Sequence, residues 1–502
     1  MKRKSGMLVV LSVIFTLTLS IGILCGCTST TDGLAFRKTS ENSYSVGIGT
    51  ATDSDIIIPE TYDGLPVTSI DSSFGNHSIQ SIQIPKSIVS IDPIAIYGQQ
   101  DLLEIKVAKN NLKYSSQNGV LFNKDKSELI CYPAGKSDPS YRIPDSVTTI
   151  SGKAFSNSKI SVIQFSPNIR EIESYAFSNS SLETVSIPEK VTKINYGTFE
   201  DCALLEEVIL SESIMTIAER AFENCVNLTS IVLPSSLEKI DDLAFHGCYK
   251  LVEVYNLSPI SIDKGSEGNG HIGAYAVNIF GSLGEASRIF TTTEKFLFLN
   301  SDSIYLIGYK GSEKDITLPE TFNGRSYKLY DYAFAYNKQI NKLTIPKSLS
   351  EFAISNNAFL NCSNLTDLIF GGLISVIGEK AFYDCSRLSG TININARIIG
   401  DYAFYGCHCL EKVNFSNAVT TIGSYSFSNC HGLRNVTIPK NIKNIGCASF
   451  SGCENINATF ENKNGWERSK NADFSSSEII SSSAISKSPR SFLTSQYYLR
   501  CD

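Results

Sequence analysis

Phenylalanines recur along this chain at a nearly constant distance, each at the same point of a longer pattern of apolar and polar residues. The first block holds Phe155, Phe177, Phe199, Phe222 and Phe245, and the second holds Phe334, Phe359, Phe382, Phe404, Phe427 and Phe450. The spacing is 22 or 23 residues in the first block and 22 to 25 in the second. Such a period is typical of solenoids, in which each turn packs only on its neighbours.

One unit shows how a turn is built. Leu182, Val185 and Ile187 follow the L-x-x-L-x-L spacing of a leucine-rich repeat. Val185 and Ile187 face the core from a short strand, and Thr184 and Ser186 face solvent. Pro188, which has no N–H to donate, suits the end of that strand. The pattern predicts a β-rich solenoid of 22–23-residue repeats, with short strands on the concave side and short strands or tight turns on the return side.

Several segments depart from the repeat. We expect a solenoid over residues 41–460, with an inserted hairpin at 107–139 and an inserted segment of strands and a Gly-rich loop at 257–315. Residues 27–40 are predicted to be a tether. Residues 461–502 are rich in serine and are predicted to be a disordered tail.

The N-terminus has the features of an export signal. Residues 2–4 are basic, no charged residue follows between Met7 and Gly26, and the run ends in Leu24-Cys25-Gly26-Cys27. A basic start, an apolar run and small residues before a cleavage site are typical of a signal peptide. The ending resembles a bacterial lipobox, which predicts a lipoprotein signal peptide over 1–26 and a lipid on Cys27. An uncleaved membrane anchor or secretion without a lipid are the alternatives, and all three place the chain outside the cytoplasm.

The outward positions of the predicted strands form the candidate binding surface. Most of them are small and polar, but Ile209, Val232 and Tyr255 occupy one outward position in three consecutive turns. Exposed apolar clusters often mark interaction sites, although β-branched residues also favour strands for their own sake. The candidate surface consists of Glu207, Ile209, Ser230, Val232, Glu253 and Tyr255. In this interpretation Glu207 and Glu253 flank the apolar stripe as free carboxylates.

Composition and charge narrow the choice of partners. Hydrophobic residues make up 42% of the chain, which is enough for a continuous core, and the net charge is −6. Nucleic-acid-binding proteins usually show a basic face, so no nucleic-acid partner is expected.

The cysteines follow the repeat and do not predict a catalytic or metal site. The eight that stand three residues after a repeat phenylalanine are Cys202, Cys225, Cys248, Cys362, Cys385, Cys407, Cys430 and Cys453. A fixed position in a solenoid forms a ladder, so we expect buried, free packing thiols; disulfides between neighbours or a metal site are the alternatives. Cys407-His408-Cys409 lacks a second pair with zinc spacing, and no G-x-S-x-G elbow occurs. We expect no cofactor, no metal and no enzymatic activity.

The complete repeat resembles a known family. The pattern L-x-x-V-x-I-P-x-x-V-x-x-I-x-x-x-A-F-x-x-C, which Leu228–Cys248 and Leu433–Cys453 follow almost position by position, is similar to the BspA-like leucine-rich repeats of bacterial surface proteins. This resemblance implies a cell-surface protein that mediates protein binding or adhesion, with an extracellular protein of a host or neighbouring cell as partner. The alternative is a carbohydrate-binding or cell-wall-associated scaffold.

Overall fold

The chain forms a β-solenoid of about 18 turns with almost no helix, which confirms the predicted fold class. The structure is a computed structural model that describes residues 30–71, 74, 78–97, 99–349, 351–473 and 475–501. The predicted signal peptide over 1–26 and the predicted lipid attachment at Cys27 lie outside the described residues.

The N-terminal turns begin with an antiparallel strand pair. The elements are β1 (Ala35–Ser40), β2 (Ser43–Gly47), β3 (Asp55–Ile57), β4 (Thr61–Tyr62), β5 (Leu65–Ile70), β6 (Ser81–Ile84), β7 (Ser90–Ile91), α1 (Pro93–Ile96) and β8 (Glu104–Val107). β1 pairs antiparallel with β2, which pairs in parallel with β5. Residues 35–40 therefore belong to the first sheet, whereas the sequence predicted a tether as far as residue 40.

The segment predicted as an inserted hairpin is an antiparallel meander. It consists of β9 (Tyr114–Gln117), β10 (Val120–Asn123) and β11 (Glu128–Cys131). Asn118 and Gly119 link β9 to β10 with positive φ angles of 53° and 80°, the backbone that a two-residue hairpin turn requires. β11 also pairs in parallel with the next strand of the solenoid, so the meander is built into the stack.

The first block of regular turns alternates two kinds of short strand. Its strands are β12 (Ser140–Arg142), β13 (Thr149–Ile150), β14 (Val162–Gln164), β15 (Glu171–Ile172), β16 (Thr184–Ser186), β17 (Lys193–Ile194), β18 (Glu207–Ile209), β19 (Thr216–Ile217), β20 (Ser230–Leu233), β21 (Lys239–Ile240) and β22 (Glu253–Asn256). The even-numbered strands of this block, which we call front strands, stack in parallel on one side, and the odd-numbered back strands stack in parallel on the other. For the return side the sequence predicted short strands or tight turns, and the back strands confirm the short strands.

A junction joins the two blocks. It contains a 3-10 turn (Asn269–His271), β23 (Asn278–Phe280), β24 (Ile289–Thr291), β25 (Phe296–Asn300) and β26 (Ile304–Tyr309). β23 pairs in parallel with β22 and adds one more front strand. β24, β25 and β26 form an antiparallel sheet.

The second block repeats the arrangement of the first. Its strands are β27 (Asp315–Thr317), β28 (Lys328–Leu329), β29 (Lys342–Ile345), β30 (Phe352–Ile354), β31 (Asp367–Phe370), β32 (Ile374–Ile377), β33 (Gly390–Ile394), β34 (Ala396–Ile399), β35 (Leu410–Phe415), β36 (Thr421–Ile422), β37 (Asn435–Ile438), β38 (Asn444–Ile445) and β39 (Asn457–Phe460). β26 pairs in parallel with β28 and so connects the junction to the back strands of this block.

The C-terminal segment is folded, and the prediction of a disordered tail over 461–502 is wrong. It forms β40 (Trp466–Ser469), β41 (Ser477–Ile479), α2 (Ser482–Lys487), α3 (Pro489–Thr494) and β42 (Tyr498–Cys501). β42 pairs antiparallel with β38, and Trp466, Leu493 and Leu499 are buried against the last turns. Most of the serines are exposed between these apolar anchors, whereas Ser469 is buried. The segment caps the solenoid and covers the sheet edge that would otherwise remain open.

Phenylalanine ladders run through both blocks of the core. The ring of Phe222 is fully buried and lies between the rings of Phe199 and Phe245, with centroid distances of 5.3 and 5.2 Å and interplanar angles of 7° and 14°. Each ring therefore contacts the turn before it and the turn after it, as the period predicted.

The cysteines form a second ladder beside the phenylalanines. All eight repeat cysteines are free and buried, which confirms the predicted packing thiols. Each thiol donates to the backbone carbonyl of the phenylalanine of the preceding turn; Cys225 Sγ, for example, lies 3.2 Å from Phe199 O. The thiol thus satisfies a buried acceptor and links two turns, a role that alanine at the same position could not fill.

Each turn changes direction at two residues with left-handed backbone. In the turn of Phe222 these are Arg220 and Asn224, with φ angles of 58° and 59°. Asparagine tolerates this conformation better than most residues, and its amide has a further role. Asn224 Nδ2 donates to Oδ1 of Asp201, at the same point of the preceding turn, over 3.0 Å.

Candidate binding surface

The front strands place the predicted apolar stripe on the surface. In β18 and β20, Val208 and Ile231 point into the core, so the residues on either side of them point outward. Ile209 is 54% exposed and Val232 is 36% exposed, at the same position of neighbouring strands. Two large exposed apolar side chains thus lie on successive front strands, where the ladder of β12, β14, β16 and β18 ends and that of β20, β22 and β23 begins.

The polar members of the predicted surface differ in their exposure. Glu207 is exposed and Ser230 is half-buried. Glu183, in the loop before β16, is exposed as well, whereas Glu206 pairs with Lys310 over 2.7 Å. The free carboxylates of Glu183 and Glu207 give this edge of the stripe a negative charge.

Glu253 does not flank the stripe as a free carboxylate, and that prediction is wrong. Its side chain is fully buried. Ser287 Oγ donates to one carboxylate oxygen over 2.8 Å, and the backbone N–H of Arg288 donates to the other over 2.6 Å. The segment that follows β23 therefore folds over the start of β22 and uses the Glu253 carboxylate as its attachment point.

Tyr255 lies at the boundary of the open surface. It is directly opposite Val232 in the β20–β22 ladder, as the repeat predicted. However, its ring is half-buried and lies 4.8 Å from the ring of Phe280 on β23. Burial, together with the charge of Glu253, raises the pKa of the Tyr255 hydroxyl. The open part of the stripe is consequently Ile209 and Val232, with Tyr255 at its edge.

A tyrosine-rich cleft of about 780 Å³ lies where the junction meets the second block. The rings of Tyr249 and Tyr332 stack face to face with a centroid distance of 3.7 Å. Glu320 and Asp331 also line the cleft, and burial raises the pKa of the Asp331 carboxyl. Its six tyrosines are Tyr249, Tyr275, Tyr305, Tyr327, Tyr330 and Tyr332. Sequence reasoning missed this cleft because these tyrosines stand at no common position of the repeat.

The cysteine–histidine motif does not converge on one point. Cys407 belongs to the buried ladder and donates to Phe382 O, Cys409 is exposed, and the ring of His408 stacks on that of His431. Among the residues that the structure describes, no three His, Cys, Asp or Glu side chains are grouped as metal ligands would be. None of the helices in the described ranges combines the length and the apolar character needed to cross a membrane.

Family comparison agrees with this architecture. The model of the BspA type leucine-rich repeat region, with six copies, matches residues 54–130, 134–252, 327–457 and 377–498. The chain belongs to the BspA type leucine-rich repeat family. The matched ranges include most strands of both blocks and extend into the C-terminal cap. No curated protein sequence matches the chain.

Solved structures of similar proteins come from several bacteria. A leucine-rich cell surface protein of Faecalibacterium prausnitzii is 25% identical, with 81% of this chain and 93% of that chain covered and a TM-score of 0.30. A leucine-rich repeat protein of Bacteroides ovatus is 21% identical, with 87% and 100% covered and a TM-score of 0.27. The pneumococcal vaccine antigen PcpA is 18% identical, with 86% and 81% covered and a TM-score of 0.24.

Proposed function

We propose that the protein is held at the bacterial cell surface by a lipid on Cys27 and binds an extracellular protein through its front strands, without catalysis. The candidate surface centres on Ile209 and Val232, with Glu207 and Ser230 beside them and Tyr255 at the edge. Glu253 holds the neighbouring segment in place and does not contact the partner.

The observation that carries the proposal is the exposure of Ile209 and Val232 on adjacent strands. Exposed β-branched residues are common in strands, but the outward positions of the preceding turns are mostly polar, as at Gln164, Thr184 and Ser186. A stripe that departs from this polar pattern in successive turns fits a contact surface. The solenoid fold is typical of binding proteins, and its repeated outward positions provide an extended surface.

The distance between the anchor and the fold supports attachment at the membrane. β1 begins at Ala35, eight positions after Cys27. A chain extends at most about 3.3–3.6 Å per residue, so the first sheet would lie within about 30 Å of the lipidated residue.

Site-specific photo-crosslinking tests the proposed surface on cells that display the full chain. A photoreactive residue at Val232 should capture one protein partner from the surrounding medium or from neighbouring cells. The same residue at Ile369 is the matched control, since Ile369 is an exposed outward residue of β31 in the second block. Equal capture at both positions, or capture at Ile369 alone, would place the binding surface elsewhere.

The tyrosine-rich cleft favours a glycan as the second candidate. Stacked tyrosine rings offer flat apolar faces, and the nearby carboxylates can accept hydrogen bonds from hydroxyl groups. Binding of cell-wall glycans by the wild-type protein, lost in Tyr332→Ala and retained in Ile209→Asp, would select this function over the protein-binding one.

A further inference from the structure

Lys250 is a buried lysine at a repeat position that carries residues of several types. It stands 23 positions after Asn227, at the same point of the next turn. The residue is only 6% exposed because the junction strand β26 covers it; a Cβ at Gly308 would lie 3.8 Å from its Nζ. A lysine ammonium in such a position is costly unless it is paired or loses its charge.

The amine of Lys250 is directed at the carboxamide of Asn227. Its Nζ donates to Asn227 Oδ1 over 2.9 Å. Burial lowers the pKa of Lys250 to about 8, so roughly a tenth of the amine is uncharged at pH 7. An uncharged, desolvated amine is a nucleophile. Because a carbonyl bond measures about 1.2 Å, the carboxamide carbon of Asn227 lies within about 4.1 Å of that nitrogen.

We propose that Lys250 and Asn227 form an intramolecular isopeptide bond that joins two consecutive turns of the solenoid. The lone pair of Lys250 Nζ attacks Cγ of Asn227, and the carbonyl π electrons move to Oδ1. When the carbonyl re-forms, the bond from Cγ to Nδ2 breaks. The side-chain nitrogen leaves as ammonia and carries one proton that came from Nζ. No oxidant, reductant or metal takes part, and the protein loses one ammonia molecule.

Glu206 is the candidate for moving that proton. It lines the same cleft as Asn227 and Lys250, and its negative charge raises the pKa of the Lys250 amine, against the larger lowering by burial. Lys310 Nζ donates to Glu206 over 2.7 Å, which fixes the carboxylate beside the cleft. Glu206 can therefore accept a proton from the attacking amine and return it to the leaving nitrogen.

The bond would reinforce the turns that carry the candidate binding surface. Asn227 precedes β20 and Lys250 precedes β22, the strands of Val232 and Tyr255. Each turn of a solenoid is held mainly by contacts to its neighbours. A covalent link between Asn227 and Lys250 would keep these two turns together when the chain is pulled. The inference stands whether or not the front strands bind a protein.

The second block contains a natural control at the same repeat position. Arg387 stands 23 residues after Asn364, and its guanidinium donates to Asn364 Oδ1 over 3.0 Å. Arg387 is exposed and Asn364 is half-buried, so an amine in place of the guanidinium would keep its charge. Arg387→Lys should form no link to Asn364.

Mass spectrometry of the full-length protein tests the proposal. The combined mass of the tryptic peptides 221–239 and 240–264 should be lower than their sequences require by one ammonia molecule. Trypsin should leave residues 221–239 joined to residues 240–264, without cleavage after Lys250. Lys250→Arg and Asn227→Ala should yield separate linear peptides, and Glu206→Gln should show a reduced linked fraction. Separate peptides from the wild-type protein, with cleavage after Lys250, would overturn the bond; full linkage in Glu206→Gln would overturn the proton-transfer step.

Discussion

Replacement of Phe222 by alanine tests whether the solenoid behaves as a one-dimensional stack. The ring is fully buried and stacks on one ring on each side. Removal of a buried phenylalanine side chain costs about 3–5 kcal/mol, of which each aromatic pair accounts for about 0.5–1.5 kcal/mol beyond the buried area. Because the lost contacts are to the two adjacent turns, the destabilisation should remain local at first.

Hydrogen exchange measured by mass spectrometry reports the location of this effect. In Phe222→Ala, amides between about Tyr196 and Tyr255 should exchange on the order of 100-fold faster or more, since every 1.4 kcal/mol is about tenfold in an opening equilibrium. Amides of the second block should be unchanged. Phe290, a phenylalanine that is 45% exposed, is the matched control, and Phe290→Ala should have little effect. Uniform acceleration along the whole chain in Phe222→Ala would refute the reasoning.

Three further predictions concern the thiols, the cap and the anchor. Cys225 and its ladder neighbours should resist alkylation in the native protein, because burial raises the pKa of the Cys225 thiol well above its usual value and the thiolate is the reactive form; in denaturant without reductant most should be modified, and persistent protection there would indicate disulfides. Trp466→Ala should cost about 3–5 kcal/mol in the C-terminal cap, so limited proteolysis should remove residues 461–502 well before the repeats; cleavage at the wild-type rate would contradict the role of Trp466. Radiolabelled palmitate should enter the wild-type protein and not Cys27→Ala, and equal labelling of both would exclude the lipid attachment.

The repeat could be predicted from the sequence because its information is local and periodic. The phenylalanine recurs at a fixed position, as at Phe222, and in eight turns a cysteine follows it by three residues, as at Cys225. Counting residues was therefore enough to predict both ladders. The burial of the Glu253 carboxylate could not be predicted by counting residues. Its partners Ser287 and Arg288 lie 34 and 35 residues away and belong to no repeat, so only the folded junction brings them together.

The prediction of a disordered C-terminal tail also failed because composition does not show which residues meet in the folded protein. Residues 461–502 contain 11 serines, yet Trp466 and Leu499 reach the open end of the core and are buried there. A few anchors suffice because the last turn already presents a complementary apolar surface. The left-handed backbone at Arg220 is a further feature that residue type does not reveal, since arginine rarely adopts it.

The affinity of the captured partner for Ile209→Asp, compared with that for Ile369→Asp, tests the proposed function most directly. Both side chains are exposed, at 54% and 43%, so neither change should disturb the core. If Ile209 is a central contact, its loss should cost about 2 kcal/mol or more, or roughly 30-fold in Kd, while Ile369→Asp should leave Kd unchanged. Surface plasmon resonance with the wild-type protein and both variants measures this difference. Equal weakening by the two variants, or no weakening by either, would show that the stripe of Ile209 and Val232 does not bind the partner.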